Sequence, residues 1–564
     1  MWQDVRFDVT RVQTSVTANY KSAALEVVRT DLHSFLHDVD HLGHPPGYPL
    51  LLAAVLKLFK SSDTPIQFIQ ITADCTAAVF LYLCALELLS YPTALIAGLF
   101  AALSPQFAYN SVLLLPDSLA AALVVPAMYL IARGWKTSRW QEFALAGVLV
   151  GISCWFRANA LLLAPSLALF VAPIIRRGQR STAALALVLG ATVVIAPITI
   201  KNVLIFHRFI PLSLGAGQTL LEGIADYDKE SRFNVPKTDL ELMQQEAQWH
   251  GRPDYAQRLF GNDGIERERE RVSRGMAIVR AHPIWFGRVM LERATYSIRL
   301  ERIPRIEYHS PLSHDYKTAQ KSELSISATD LWSKQSILAN DVDARVMSDQ
   351  SLLVLGNNET YGDQISFGKI PVHPYSDYVL RLPVQLQQGR VWFKVIDAND
   401  DEVLASTGVD PIQQMTSEDH AVQTLQIRFV SRTTKQIALV LGNNATHESP
   451  TILLGQVQLM RLGTSSYQWL RVVRVPLAVV QQMFVTALVL PLTILGLALL
   501  LYRKNWAGIS MLLSVPAYYL LVQSALHTER RYVYVIQYFF FAIAAFGLTE
   551  AIRLANRLVR RRAS

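Results

Sequence analysis

Cysteine is almost missing from this chain: three residues in 564, Cys75, Cys84 and Cys154, all inside apolar blocks. The polar stretch of about 270 residues between those blocks holds none, so its fold owes nothing to disulfides. No Cys/His spacing of the zinc-ligand kind occurs, and no metal site is assigned; dependence on a divalent metal stays open. Charge is scarce as well, at 17% of residues against 51% hydrophobic. Residues 1–43 carry neither a signal-peptide pattern nor an apolar anchor. The formal net charge is +8, but much of the excess gathers in short loops and a tail. That is the positive-inside pattern of a membrane protein, not the footprint of a nucleic-acid partner.

Long apolar runs dominate what is present. They divide into nine segments, approximately Ile66 to Leu89, Pro92 to Tyr109, Ser118 to Ile131, Phe143 to Trp155, Ala160 to Ile175, Ala183 to Ile205, Pro476 to Leu501, Ala507 to Leu526 and Tyr532 to Ile552. A crossing takes roughly 20 apolar residues, so the expectation is a multi-pass α-helical membrane protein with about nine spanning helices. Orientation comes from the basic loops Arg133 to Arg139, Arg176 to Arg180 and Tyr502 to Lys504, and from the tail Arg553 to Arg562. All fall on one side if the segments alternate, and that side reads as cytoplasmic. Residues 1–43 then lie outside the cytoplasm. Either a further spanning helix precedes Met1, which is the expectation, or the amino end inserts unaided.

The polar stretch reads in two parts. Phe206 to His309 alternates loops with helical patterns at Asp239 to Trp249, Ile265 to Arg280 and Pro283 to Arg299. Ser310 to Ser336 reads as a linker. From Val346 to Leu462 short alternating runs, such as Tyr378 to Leu382, Val391 to Val395, Leu425 to Phe429, Ile437 to Leu441 and Val457 to Met460, predict an antiparallel β-sandwich on the outer face. A carbohydrate-binding or packing module and a plain lid or spacer are both open for it. The domain boundaries expected are 1–65, 66–205, 206–336, 337–465 and 466–564.

One stretch organises the outer face. In His44-Pro45-Pro46-Gly47-Tyr48-Pro49 the prolines fix φ and Gly47 frees it, forcing a rigid corner before a helix over Leu50 to Phe59. At about ten residues that helix is too short to cross, and it is expected to lie on the membrane surface. Topology places His44, the Pro116-Asp117-Ser118 turn, Arg157-Ala158-Asn159, Lys201-Asn202 and the run His527 to Tyr532 on this same face. Each has an ordinary explanation: Asp117 as a helix N-cap, Arg157 as a snorkelling side chain, Arg530 and Arg531 as lipid-phosphate contacts, His44 as a loop histidine. Their co-occurrence beside a rigid corner is what raises them as a set.

These residues carry a resemblance. The His44 to Pro49 run, Ser104-Pro105 followed by Pro116-Asp117, Arg157 with Leu161 to Pro165, Pro197 to Asn202 leading to Ser213-Leu214-Gly215, and Arg531-Tyr532 opening the last helix are similar to the glycosyltransferase C superfamily. The nearest likeness is to its bacterial protein O-mannosyltransferase, aminoarabinose-transferase and lipopolysaccharide-core branch, over Asn19 to Tyr227 and Pro476 to Leu548. The resemblance implies an inner (plasma) membrane enzyme with a cytoplasmic C-terminus. It would move a sugar from a polyprenyl-phosphate donor, with no cofactor beyond that lipid substrate, to a glycan, lipid or protein acceptor on the outer face. A carboxylate would deprotonate or orient the acceptor hydroxyl, and cations would stabilise the leaving phosphate.

The family's first-loop aspartate precedes a Tyr by about four residues, yet Val16 stands there before Tyr20. Asp8 is the acid expected instead, although Asp38 and Asp40 lie nearer to His44. Asp8 and Asp117 are thus the catalytic candidates. His44, Tyr48, Arg157, Lys201, Asn202, Glu529, Arg530, Arg531 and Tyr532 are the substrate-binding ones. Asp74, about two turns into the first apolar segment, is costly there and faces either the same cavity or another helix. Two other functions stay open: a transporter or flippase of a lipid-linked sugar, which would share a basic outer face but favour internal repeats and broken helices, and a noncatalytic glycan-binding membrane protein, which would need neither the Pro-Pro-Gly corner nor clustered cations.

Overall fold

The computed structural model describes residues 2, 15–59, 63–300, 305–306, 311–315, 323–359, 362–409, 422–444 and 449–563. Its helices in chain order are α1 (Ser15–Arg29), α2 (Leu32–His37), α3 (Gly47–Leu58), α4 (Thr64–Leu88), α5 (Tyr91–Leu103), α6 (Pro105–Asn110), α7 (Asp117–Thr137), α8 (Trp140–Phe156), α9 (Leu163–Val171) and α10 (Arg180–Phe206). There follow α11 (Ala216–Tyr227), α12 (Asp239–His250), α13 (Gly264–Ala281), α14 (Pro283–Ser297), α15 (Ala328–Ser333), α16 (Arg471–Gln481), α17 (Thr486–Tyr502), α18 (Trp506–Ser524) and α19 (Ile536–Ala563). The contacts separate a helical unit, mainly Val9–Ile306 and Val479–Ser564, from a β-rich unit over Glu307–Ala478.

In the helical unit α4, α7, α10, α18 and α19 are long and apolar enough to cross a membrane; α16 and α17, bent by 60°, make a sixth if they form one span. The nine crossings expected from the sequence are therefore not reproduced among the described residues. Several apolar segments fold as helices of 10–17 residues instead. The segment from Pro92 to Tyr109 shows why: Pro105 disfavours helical backbone at Ser104, whose ψ is 123°, and the helix breaks there. The helix after the His44 corner also differs from expectation. It starts at Gly47, and Tyr48, Leu52, Val55 and Leu56 are buried, so its apolar face packs inward.

α7 is the central helix, buried along most of its length and packed between α4 and α8. α8 in turn meets α10 through glycines. A Cβ on Gly147 would stand 2.1 Å from the Leu187 carbonyl oxygen, and one on Gly190 would stand 2.3 Å from that of Ala144. Small residues let the two backbones touch, the usual solution where no hydrophobic force acts between helices in lipid. Leu185, Val193 and Leu204 of α10 point outward, as lipid-facing side chains do.

Helices α12, α13 and α14 fall close to their sequence patterns. Part of the charge on α13 is not solvated, however. Arg267, Glu268 and Arg271 are buried, and Arg271 binds Glu246 of α12 through Nε at 2.7 Å and Nη2 at 2.8 Å.

The β-rich unit holds two antiparallel sheets around one apolar core, with the expected runs in strands Ser376–Gln388, Val391–Asp397, Gln423–Val430, Gln436–Asn443 and Val457–Thr464. The 13-residue strand Ser376–Gln388 anchors the larger sheet by bonding Gln423–Val430 along one edge and Val457–Thr464 and Thr451–Leu454 along the other. The predicted linker is partly structured: Leu324–Ile326 and Gln335–Ile337 join the sheet edges on either side of α15. Strands of three residues are too short to leave an alternation in the sequence.

Candidate active site

Asp117 opens α7, but it is not the helix N-cap. Pro116 holds that position, and Asp117 makes no capping bond. Its buried carboxylate instead accepts a hydrogen bond from Nη2 of Arg157 at 2.7 Å, with the two side chains 3% and 13% exposed. Arg157 stands where α8 ends, its backbone turned to extended geometry at φ −144° and ψ 123°. Burial works against its charge, yet Asp117, Tyr20 and Tyr532 outweigh that and hold the guanidinium above the ordinary arginine range. Its Nε has no protein partner.

The run Glu529 to Tyr532 completes the cluster from the far end of the chain. The Arg157 guanidinium lies 4.8 Å from the centre of the Tyr532 ring, and that of Arg531 lies 5.2 Å from the same ring. Arg531 pairs with Glu529, Nη2 to Oε1 at 2.8 Å. Asn159 ties the segments together: its Nδ2 donates to the Tyr532 carbonyl at 3.3 Å, and its own carbonyl accepts from the Tyr518 hydroxyl at 2.8 Å. Asp117, Arg157, Asn159, Tyr519, Arg531 and Tyr534 line one narrow cleft.

The His44 corner adds an aromatic wall. Tyr20 of α1 packs on His44 at 5.0 Å between ring centres and edge-on to Tyr48 at 5.3 Å. The Tyr48 hydroxyl donates to Gln70 at 2.8 Å, and Gln70 donates in turn to the carbonyls of Ser111 and Leu113, which lead into α7. Burial raises the Tyr20 phenol to about 12. The His44 ring borders open space, but the protein around it, together with Arg157 and Arg531, pushes its imidazole down to about 4. It is therefore a neutral hydrogen-bonding group near pH 7.

Some expected residues are elsewhere. Lys201 donates to the Leu36 carbonyl at 3.4 Å and lies over Phe206, and Asn202 is buried, holding the carbonyls of Ile210 and Leu212. The structure does not bring either to the Asp117 cluster; both secure the chain around α10. Asp40 pairs with Arg258 at 2.6 Å. Asp8 and the side chain of Arg530 lie outside the described residues. Asp74 accepts from the hydroxyls of Tyr534 at 2.6 Å and Tyr538 at 3.0 Å, so it pairs with the start of the last helix. Tyr20, Asn159, Tyr519 and Tyr534 were not among the site candidates. Tyr20 carries a sequence signal, as the Tyr that follows the expected position of the missing acid, and Asn159 carries another as part of the polar Arg157-Ala158-Asn159 turn.

Among the described residues, one trio has ligand atoms all within 4.8 Å of one another: Glu26, Asp38 and His41. His41 already pairs with Glu26 at 3.1 Å, and Asp38 caps the turn that follows α2. These roles account for their positions.

A helical membrane-type unit with a buried acid and partly buried arginines at its helix ends, together with a separate antiparallel sheet unit, is the class these features define. Residues 43–200 match the family model described as dolichyl-phosphate-mannose-protein mannosyltransferase. That match bears out, on this stretch, the resemblance to the glycosyltransferase C superfamily. No curated protein matches. Among solved structures, the chain is similar to arabinosyltransferase EmbB from Mycobacterium smegmatis at 12% identity and TM-score 0.22, covering 81% of this chain and 65% of that one. The oligosaccharyltransferase of Archaeoglobus fulgidus aligns at 14% identity and TM-score 0.24, covering 50% of each chain. The CBM22-1 and GH10 modules of Clostridium thermocellum endo-1,4-beta-D-xylanase 10B align at 14% identity and TM-score 0.20, over 25% of this chain and 29% of that one. The chain spans less than two thirds of each of these three.

Proposed function

We propose that the protein is an integral-membrane glycosyltransferase that moves a sugar from a polyprenyl-phosphate donor to a glycan, lipid or protein acceptor at the outer face of a bacterial-type inner membrane. The observation that carries this reading is the buried Asp117–Arg157 pair with Arg531 across the Tyr532 ring. It gathers one carboxylate and two cations from three distant parts of the chain, and the match over residues 43–200 supports it.

In the proposed reaction an acceptor oxygen attacks the anomeric carbon while the bond from that carbon to the phosphate oxygen breaks. The bonding pair leaves with the polyprenyl phosphate, where Arg157 and Arg531 offset the growing charge with planar, doubly donating guanidinium groups. The acceptor proton passes to a carboxylate, Asp117 or the first-loop acid proposed as Asp8. Neutral His44 bonds the acceptor or shapes its pocket. The lipid tail stays in the bilayer, so the phosphate must meet these groups at helix ends, and basic loops place the C-terminus in the cytoplasm.

Purified full-length protein given a polyprenyl-phosphate sugar should release polyprenyl phosphate. Failure to turn over any lipid-linked sugar would overturn the proposal.

A further inference from the structure

Arg531 is not free to meet a phosphate as it stands. Its Nη2 donates to Oε1 of Glu529 at 2.8 Å and its Nε lies 2.5 Å from Oε2 without forming a hydrogen bond, so one carboxylate is ion-paired against that edge of the guanidinium. Arg157 is paired in the same way with a different carboxylate, donating through Nη2 to Asp117 at 2.7 Å. A phosphate that takes the Nε–Nη2 edge of Arg531 would displace Glu529.

The surroundings of Glu529 allow that. Its side chain is 40% exposed against 13% for Arg531, and it precedes the short turn Arg530–Val533 on a loop rather than sitting inside a helix. A second cation is within reach on the other side. Nε2 of His527 is 3.9 Å from Oε1 of Glu529, and Nδ1 of His527 bonds Asp226 of α11 at 2.8 Å. The His527 backbone N–H donates to the Thr219 carbonyl at 2.8 Å, which fixes the residue against α11. Asp226, His527, Glu529 and Arg531 thus form an unbroken row from an outer helix into the cleft.

We infer that Glu529 is an exchangeable counter-ion: the donor's phosphate displaces it from Arg531, and His527, held in place by Asp226, receives the displaced carboxylate. Glu529 and His527 are positioning residues here. They touch no reacting atom, and they set how readily Arg531 becomes available and how readily the product phosphate leaves. The inference rests on the polyprenyl-phosphate reading of the same site.

Binding of undecaprenyl phosphate to the full-length protein in nanodiscs tests it without any turnover. Glu529→Gln removes the competitor and should tighten binding about tenfold, the size of one charge-assisted hydrogen bond exchanged. His527→Gln removes the receiver and should weaken binding about threefold or more in the native background. It should have no effect when Glu529→Gln is already present. Asp226→Asn should act like His527→Gln and serves if that variant misfolds. Binding unchanged or weaker in Glu529→Gln, or a His527→Gln effect that persists in the double variant, overturns the counter-ion exchange while leaving the polyprenyl-phosphate reading intact. Native protein that binds no polyprenyl phosphate overturns both.

Discussion

Gly47 sits so close to the backbone of Trp155 that a Cβ there would stand 2.5 Å from the Trp155 carbonyl oxygen. The Pro-Pro-Gly corner is therefore pressed onto the last turn of α8, two residues before Arg157. Glycine is needed for close approach, not for a left-handed backbone.

Gly47→Ala should consequently push the corner away from α8, at a cost of about 1–3 kcal/mol by analogy with overpacked cores. Turnover should fall with stability, because the corner carries His44 and the turn it presses on leads to Arg157. A melting temperature unchanged from the native protein would show that the corner yields freely.

The buried pair of Asp117 and Arg157 makes a second, asymmetric forecast. Arg157→Ala leaves a buried carboxylate without its cation, which typically costs about 3–5 kcal/mol. Asp117→Asn keeps a hydrogen-bond acceptor for Arg157 and should fold better. Both should reduce polyprenyl phosphate release by about 10²-fold or more, since each removes a group proposed to act on the reacting atoms. Release rates, read alongside the melting temperature of each variant, separate chemistry from folding.

Both forecasts rest on groups that the sequence made visible to different degrees. Asp117, Arg157, Arg531 and Tyr532 were legible because each is polar at the end of an apolar run, and alternation of the runs put them on one side. The sandwich strands were legible through period-two burial. Lys201 and Asn202 showed the same sequence signal, yet they bind backbone carbonyls around α10. Sidedness cannot tell a cleft from a nearby loop anchor. Tyr519 and Tyr534 were invisible because an aromatic inside an apolar segment looks like core. Nine crossings are not reproduced among the described residues where helices break early, as at Pro105, because hydropathy measures apolar length and not helix continuity.

Tyr534 and Tyr538 both donate to Asp74, which fastens α4 to the start of α19. Tyr534→Phe removes one of those bonds and should destabilise the protein by about 1 kcal/mol. Asp74→Leu removes the acceptor from both hydroxyls and should cost more. Tyr534 lines the cleft as well. If turnover in Tyr534→Phe falls far beyond the loss of stability, the hydroxyl touches substrate; a parallel loss assigns it to packing.

His527 supplies the pH dependence. Its hydrogen bond to Asp226 raises its imidazole above the ordinary range, burial opposes this, and Glu222 and Glu529 add to the rise. A raised folded-state value contributes stability that is fully present below the unfolded value of about 6.5 and is lost as pH rises through the folded value. The facing groups include Glu222, itself raised to about 8 by burial and by Asp239, and Arg293, which donates to the carbonyl of Leu526. Comparison with His527→Gln isolates the histidine. The melting-temperature advantage of the native protein over that variant should be largest below about pH 6.5 and shrink as pH rises above it. An advantage independent of pH would mean that the imidazole is neutral throughout.

The most direct test is a structure of the full-length protein in nanodiscs with undecaprenyl phosphate bound. The phosphate should lie within hydrogen-bonding distance, about 3 Å, of the Arg157 or Arg531 guanidinium, beside the Tyr532 ring. A phosphate seated elsewhere, with the Asp117–Arg157 cleft closed and untouched, would contradict the assignment of this cleft as the site of sugar transfer.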